Sequence, residues 1–159
     1  MSDTGRDLLR HTLATLAYRG GKALRDVPES VGRRRVAEGS RTPLEILAHV
    51  NDLLDWGLAL CRGEHRWRDS TPTNWAGETA RFHAGLATLD AYLVGGDPLG
   101  FPAERIFQGP IADALAHVGQ IAYLRRLGGS PVRGENYFQA DIVAGRVGPE
   151  QTAPVREFD

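Results

Sequence analysis

Apolar positions in this chain recur at helical rather than strand intervals. From about Asp7 to Leu24, the residues Leu8, Leu9, Leu13, Leu16 and Ala17 fall at three- and four-residue spacings, which predicts an amphipathic helix with one buried face. Gly20 and Gly21 weaken its end and would let a neighbouring helix come close. The next start signal is the clearest in the chain. Thr42 as N-cap, Pro43 at the first helical position and Glu45 three residues after the cap form a capping box. The helix it opens carries Leu44, Leu47, Ala48, Leu54 and Leu58 and runs to about Cys61, with Gly63 just beyond.

A polar loop from Gly63 to Thr73 leads to a third helix opening near Thr73 or Asn74. There Trp75, Phe82, Leu86, Leu89 and Leu93 lie on one side, up to Gly95-Gly96. The Gly- and Pro-containing stretch Gly96 to Gly109 reads as a loop with one short turn over Glu104 to Phe107. Pro110 then reads as the first residue of a fourth helix that stops before Gly128-Gly129, with Arg125 and Arg126 near its negative pole. No convincing period-two run occurs. The expected fold is therefore all-α: one domain over residues 1–159, a four-helix bundle spanning about 7–127, and an irregular tail over 130–159. The tail offers one short helical stretch around Tyr137 to Val143 and is expected to wrap the bundle.

Composition narrows the function classes. At 159 residues with 42% apolar and 25% charged residues, the chain can build a core unaided, and it lacks the ~20-residue apolar run of a membrane span. Its N-terminal residues lack the order of a secretory signal, so a soluble cytoplasmic protein is expected. A formal net charge of −1 gives no footing for nucleic acid. Arg33-Arg34-Arg35, between Gly32 and Gly39 with no interleaved aromatics, reads as a solvated loop. The single cysteine, Cys61, lies in an apolar helix and reads as a small buried hydrophobe.

Candidate chemistry starts on the fourth helix. Asp113 and His117 are four residues apart and project from one face, a spacing that lets two side chains hold one ion; Gln120 and Leu124 continue the line. A carboxylate with an imidazole suits zinc, nickel, iron or manganese. The same spacing also arises as an intrahelical hydrogen bond beside solvent. His49 sits in the apolar second helix, where an imidazole needs a partner, either a ligand role or a hydroxyl or carbonyl. Elsewhere His11 reads as a core or edge residue, His65 as exposed, and His83 as surface or supporting. Trp56, Trp67 and Trp75 read as core or rim aromatics. No phosphate-loop glycine spacing and no G-x-S-x-G elbow occurs.

The stretch Asp113-Ala-Leu-Ala-His117-Val-Gly-Gln120, continuing to Arg125-Arg126-Leu127-Gly128, resembles the last bundle helix of the DinB/YfiT-like superfamily of metalloenzymes. His49, in Leu47-Ala48-His49-Val50, resembles that superfamily's second-helix ligand. The usual pattern supplies one histidine from the second helix and an H-x-x-x-H pair from the fourth, the later histidine leading into Gly-Gln. Asp113 stands where the first histidine of the pair is usual, as a carboxylate does in the mycothiol-dependent maleylpyruvate isomerase branch. The resemblance covers about Asp7 to Leu127. It implies a divalent-metal site of His49, Asp113 and His117, most readily for zinc or nickel, with Gln120 or a nearby polar group supporting a ligand. It also implies a metal-dependent enzyme acting on a small molecule, such as a transferase or isomerase using a low-molecular-weight thiol, and a homodimer is expected. A metal-dependent hydrolase, or a non-catalytic metal-stabilised bundle acting in dimerisation or stress-related binding, are the alternatives.

Overall fold

The computed structural model describes residues 3–159, and among these helices dominate. Helix α1 spans Thr4–Leu24, α2 Glu29–Gly32, α3 Pro43–Cys61, α4 Trp75–Gly95, α5 Ala103–Ile106 and α6 Ala112–Leu127. Helix α1 opens earlier than the apolar spacing suggested, because the Asp3 carboxylate accepts from the Arg6 amide at 3.2 Å and caps it. On α3 the capping box forms as expected: the Glu45 amide donates to Thr42 Oγ1 and the Thr42 amide donates to Glu45 Oε2. Asn74 caps α4, which ends at Gly96 in the left-handed region with φ 81°.

The four long helices pack as a ring: α3 lies against α4 and α6, and α1 against the same two. Leu13, Leu16, Leu47, Val50, Phe82, Leu86, Leu89, Ile111 and Ile121 fill the interior. Leu8, expected on the buried face of α1, is 65% exposed; Leu9 takes the inward position beside it. Close approach at Gly20 is real, since a Cβ there would lie 2.5 Å from Phe82 Cζ.

Two expectations about the elements themselves fail. Pro110 does not start the last helix. The chain is already helical from Ala103, and a π turn over Phe107–Ile111 with Pro110 inside it joins α5 to α6. Proline has no N–H to give to a regular α ladder, and the wider π turn accommodates that loss. In the tail, the helix expected over Tyr137 to Val143 is a single 3₁₀ turn, Tyr137–Gln139, and the backbone is already extended at Ala140. A two-residue antiparallel pair, β1 (Gly134–Glu135) with β2 (Glu157–Phe158), was not foreseen either.

The tail lies on the helices through polar contacts. Glu135 accepts from Tyr18 Oη at 2.5 Å and from Lys22 Nζ at 2.7 Å, and Lys22 also reaches Glu157 at 3.0 Å. Burial alone would push the Lys22 ammonium down, but the bonds to Glu135 and Glu157 outweigh it and hold it charged. Arg125, in the last turn of α6 as expected, also donates to the carbonyls of Ala23, Arg25 and Ser130 and ties α6 to the end of α1. No helix is long and apolar enough to cross a membrane among the described residues.

Candidate metal centre

Helices α3 and α6 face each other along their lengths, and the site lies between them. Ile46, Val50 and Leu53 turn one face of α3 into the core. His49, between them in sequence, sits at the edge of that face. On α6 the buried line Ala114, Val118 and Ile121 leaves Asp113 and His117, one turn apart, at the matching edge. His49 Nε2 lies 3.8 Å from Asp113 Oδ2, and His117 Nε2 lies 3.5 Å from Asp113 Oδ1. The two imidazole rings stand 4.8 Å apart, edge to face. One ligand atom from each of the three residues lies within 4.8 Å of the other two. Tetrahedral zinc bonded at about 2.1 Å holds neighbouring donors ~3.4 Å apart, so the two contacts to Asp113 need little closure.

The donors differ in exposure, and the difference sets the direction of access. The His49 and His117 side chains are 16% and 13% exposed, whereas the Asp113 side chain is 50% exposed. An ion between them would be backed by imidazole and open on the carboxylate side, the arrangement that leaves coordination positions for a substrate. Gln120 Oε1 lies 2.7 Å from His117 Nδ1. An amide oxygen there accepts the Nδ1 proton, which leaves the Nε2 lone pair of His117 turned toward Asp113. Burial, then Arg41 and His117, push the His49 pKa below the ordinary histidine value against the pull of Asp113 and Asp52. A neutral imidazole is the form that ligates.

The sequence reading missed two neighbours. Trp67, from the loop after α3, sets its ring edge-on to His49 at 5.5 Å and touches Trp56 at 5.9 Å. The loop is held over the site by a buried polar network. Asp52 accepts from the Ser70 amide and from Arg81, and Glu78 accepts from Asn51 and from the amide and hydroxyl of Thr73. Burial pushes the Glu78 carboxyl up, and those hydrogen bonds with Arg81 more than reverse it, so it stays ionised. Arg41 is the second. It precedes the Thr42 cap and borders both grooves that meet at the centre. One, of about 340 Å³, is lined by Ser40, His49, Asp69 and Ser70. The other, of about 380 Å³, is lined by Val36, Ile46, His117, Tyr123 and Leu124. Neither Trp67 nor Arg41 lies on a periodic face, and only the run of polar loop residues around each hints at a surface role.

The remaining candidates fall elsewhere. His11 is exposed. His65 is exposed as expected but stacks on Trp56 at 5.7 Å. His83 lies 3.4 Å from the Val147 carbonyl, and burial lowers its pKa. Trp75 donates its indole N–H to the Leu24 carbonyl. Cys61 is fully buried, and burial pushes its thiol up to about 11, which makes it inert. The arginine triplet is spent on intramolecular contacts: Arg33 with Glu29, Arg34 with the Leu127 carbonyl, and Arg35 with Ser40 and Glu45.

No family model, curated protein or solved structure matches the chain. The case for a metal centre therefore stands on the geometry of its own residues. Among the described residues, His49, Asp113 and His117 are the one group of three His, Cys, Asp or Glu side chains so convergent.

Proposed function

We propose that this protein is a metal-dependent enzyme of the DinB/YfiT-like kind, holding one divalent ion, zinc or nickel by preference, on His49, Asp113 and His117. The observation that carries this reading is the convergence of three donors from two helices at a half-open position, with Gln120 fixing the tautomer of one imidazole. Bound there, the ion would supply Lewis acidity and make a coordinated thiol or water a nucleophile near neutral pH. His49 and His117 orient the centre from its buried side. Asp113 adds a negative charge, which favours harder metals than three imidazoles would. Trp67 covers the His49 ring and limits water on that side, while the grooves on either side leave room for a small-molecule substrate. A thiol-linked transfer or isomerisation fits this layout best, with metal-dependent hydrolysis its nearest variant.

Elemental analysis of protein purified without a metal-affinity tag, followed by zinc and nickel titration, tests the proposal. One ion per chain is expected for the wild type. Asp113→Ala should lose it with helicity unchanged, because Ala is the better helix former, and Asp113→His should regain binding with a preference for nitrogen-loving metals. Equal affinity in wild type and Asp113→Ala removes Asp113 from the centre and with it the catalytic reading. Binding that raises thermal stability but leaves no site for an exogenous thiol would mark a structural staple between α3 and α6 instead.

A further inference from the structure

Charges around the centre are almost all matched. In the polar groove Arg35 is paired with Glu45 at 2.8 Å, Asp52 with Arg81 at 2.7 Å, and Asp69 accepts from the Trp67 indole at 3.2 Å. Arg41 is the exception. Its side chain makes no hydrogen bond and no ion pair among the described residues, although Glu45 and Asp52 border the same groove. It nonetheless borders both grooves, one lined by His49 and the other by His117.

The second groove gives the rest of the ligand's shape. Val36 and Tyr123, 43% and 62% exposed, stand with Ile46 and Leu124 as the apolar lining of a groove that Arg41 and His117 also border. At about 380 Å³ the groove is of small-molecule size. A bare cation bordering an apolar trough suits a ligand with an anionic head and an apolar body. Such a ligand covers the exposed hydrocarbon and gives the guanidinium the two-oxygen partner its fork geometry matches.

We propose that the substrate of this centre is a small organic carboxylate with an apolar body, its carboxylate held by Arg41 and its body lying along Val36, Ile46, Tyr123 and Leu124. Because His117 lines the same groove, a ligand held there lies beside the metal position. It rests on the metal reading for its chemistry but not for its binding, because none of these contacts requires the ion.

The probes are hexanoate and its uncharged analogue hexan-1-ol, titrated into metal-free protein with chelator present and followed by amide chemical shifts. The same titrations are repeated after loading with zinc. Hexanoate should bind the metal-free wild type more tightly than hexan-1-ol and should shift the amides around Val36, Ile46, Tyr123 and Leu124. In Arg41→Gln the hexanoate affinity should fall roughly tenfold, the loss of a charge-assisted hydrogen bond, with hexan-1-ol unaffected. Arg41 is exposed and outside every helix, so the variant should fold normally, and circular dichroism checks this. Equal binding of the two probes, an unchanged hexanoate affinity in Arg41→Gln, or shifts confined to another face each overturn the proposal. Zinc titration of wild type and Arg41→Gln keeps the two readings apart. Loss of the metal site with Arg41-dependent hexanoate binding intact defeats the metal reading alone, and the converse result defeats the carboxylate proposal alone.

Discussion

Replacing Gln120 by Ala removes the one acceptor that His117 Nδ1 has, at 2.7 Å, while removing no atom that would coordinate an ion. The magnitude depends on what takes the acceptor's place. Gln120 is exposed, so water can reach the freed Nδ1–H and no buried donor is left unsatisfied. What is lost is the bias that holds the Nε2 lone pair toward Asp113, and the basicity that an acceptor lends to the ring. Removing such supporting partners costs about 10–100-fold in metal affinity, and water access puts this case near tenfold, about 1.4 kcal/mol. Gln120→Glu should act in the opposite direction, since a carboxylate accepts from Nδ1–H more strongly than an amide does. Zinc affinities measured by competition with a chelating dye at neutral pH, with far-ultraviolet circular dichroism as the control for folding, give the comparison. A Gln120→Ala affinity indistinguishable from wild type would refute the reasoning. His117 would then be oriented by packing alone.

Gly20→Ala should destabilise, because the new Cβ would meet Phe82 Cζ at 2.5 Å; about 1–3 kcal/mol of overpacking exceeds most of the ~1 kcal/mol gained in helix propensity. Phe82→Leu should cost less in the Gly20→Ala background than in wild type, and additive chemical-denaturation values in a double-mutant cycle would show that the ring does not feel residue 20. Burial holds His83 and His49 below the ordinary histidine value of 6.5, so the unfolded chain binds more protons than the native one just below that pH. The stability of metal-free protein should therefore be complete above pH 6.5 and fall as pH drops through the native values, less steeply in His83→Gln; a thermal midpoint constant across that window would contradict this. Cys61, with its thiol raised to about 11, should react with a disulfide reagent only at the rate at which the chain opens, and prompt labelling of native protein would show it is not buried.

Most of the helical frame is written in local signals. The capping box at Thr42, the Asn74 cap and the left-handed glycine at Gly96 each act within a few residues, so each can be read without knowing the fold. Asp113, His117 and Gln120 share that advantage, since helical spacing alone puts them on one line. His49 was singled out by the oddity of an imidazole in an apolar helix rather than by spacing. What stayed hidden depends on distant partners. Pro110 carries the local mark of a helix start, but the preceding residues already pack as helix through Ile106, and that tertiary contact overrides the mark. Trp67 reaches His49 only because Asp52, Glu78 and Arg81 pin its loop, and two of those groups sit on a different helix. Glu135 is buried in the tail only because Tyr18 and Lys22 meet it from α1.

The π turn at Phe107–Ile111 acts as a phase adapter. Each residue of a regular helix advances about 100°, and a π turn spends one more residue than an α turn to cover the same rotation. Ile106, upstream, and Ala114, Val118 and Ile121, downstream, are all buried, and the wider turn lets both groups face inward at once. Asp113 and His117 ride on the downstream phase. Forcing the segment into an ordinary helix with every residue kept would turn the downstream face by about 100° and force a choice between seating Ile106 and aiming Asp113 and His117 at His49, whereas removing a single residue within 107–111 would regularise the helix and keep both. The direction in which two of the three donors point thus depends on a turn upstream of the donors themselves, which absorbs one surplus residue and keeps the phase.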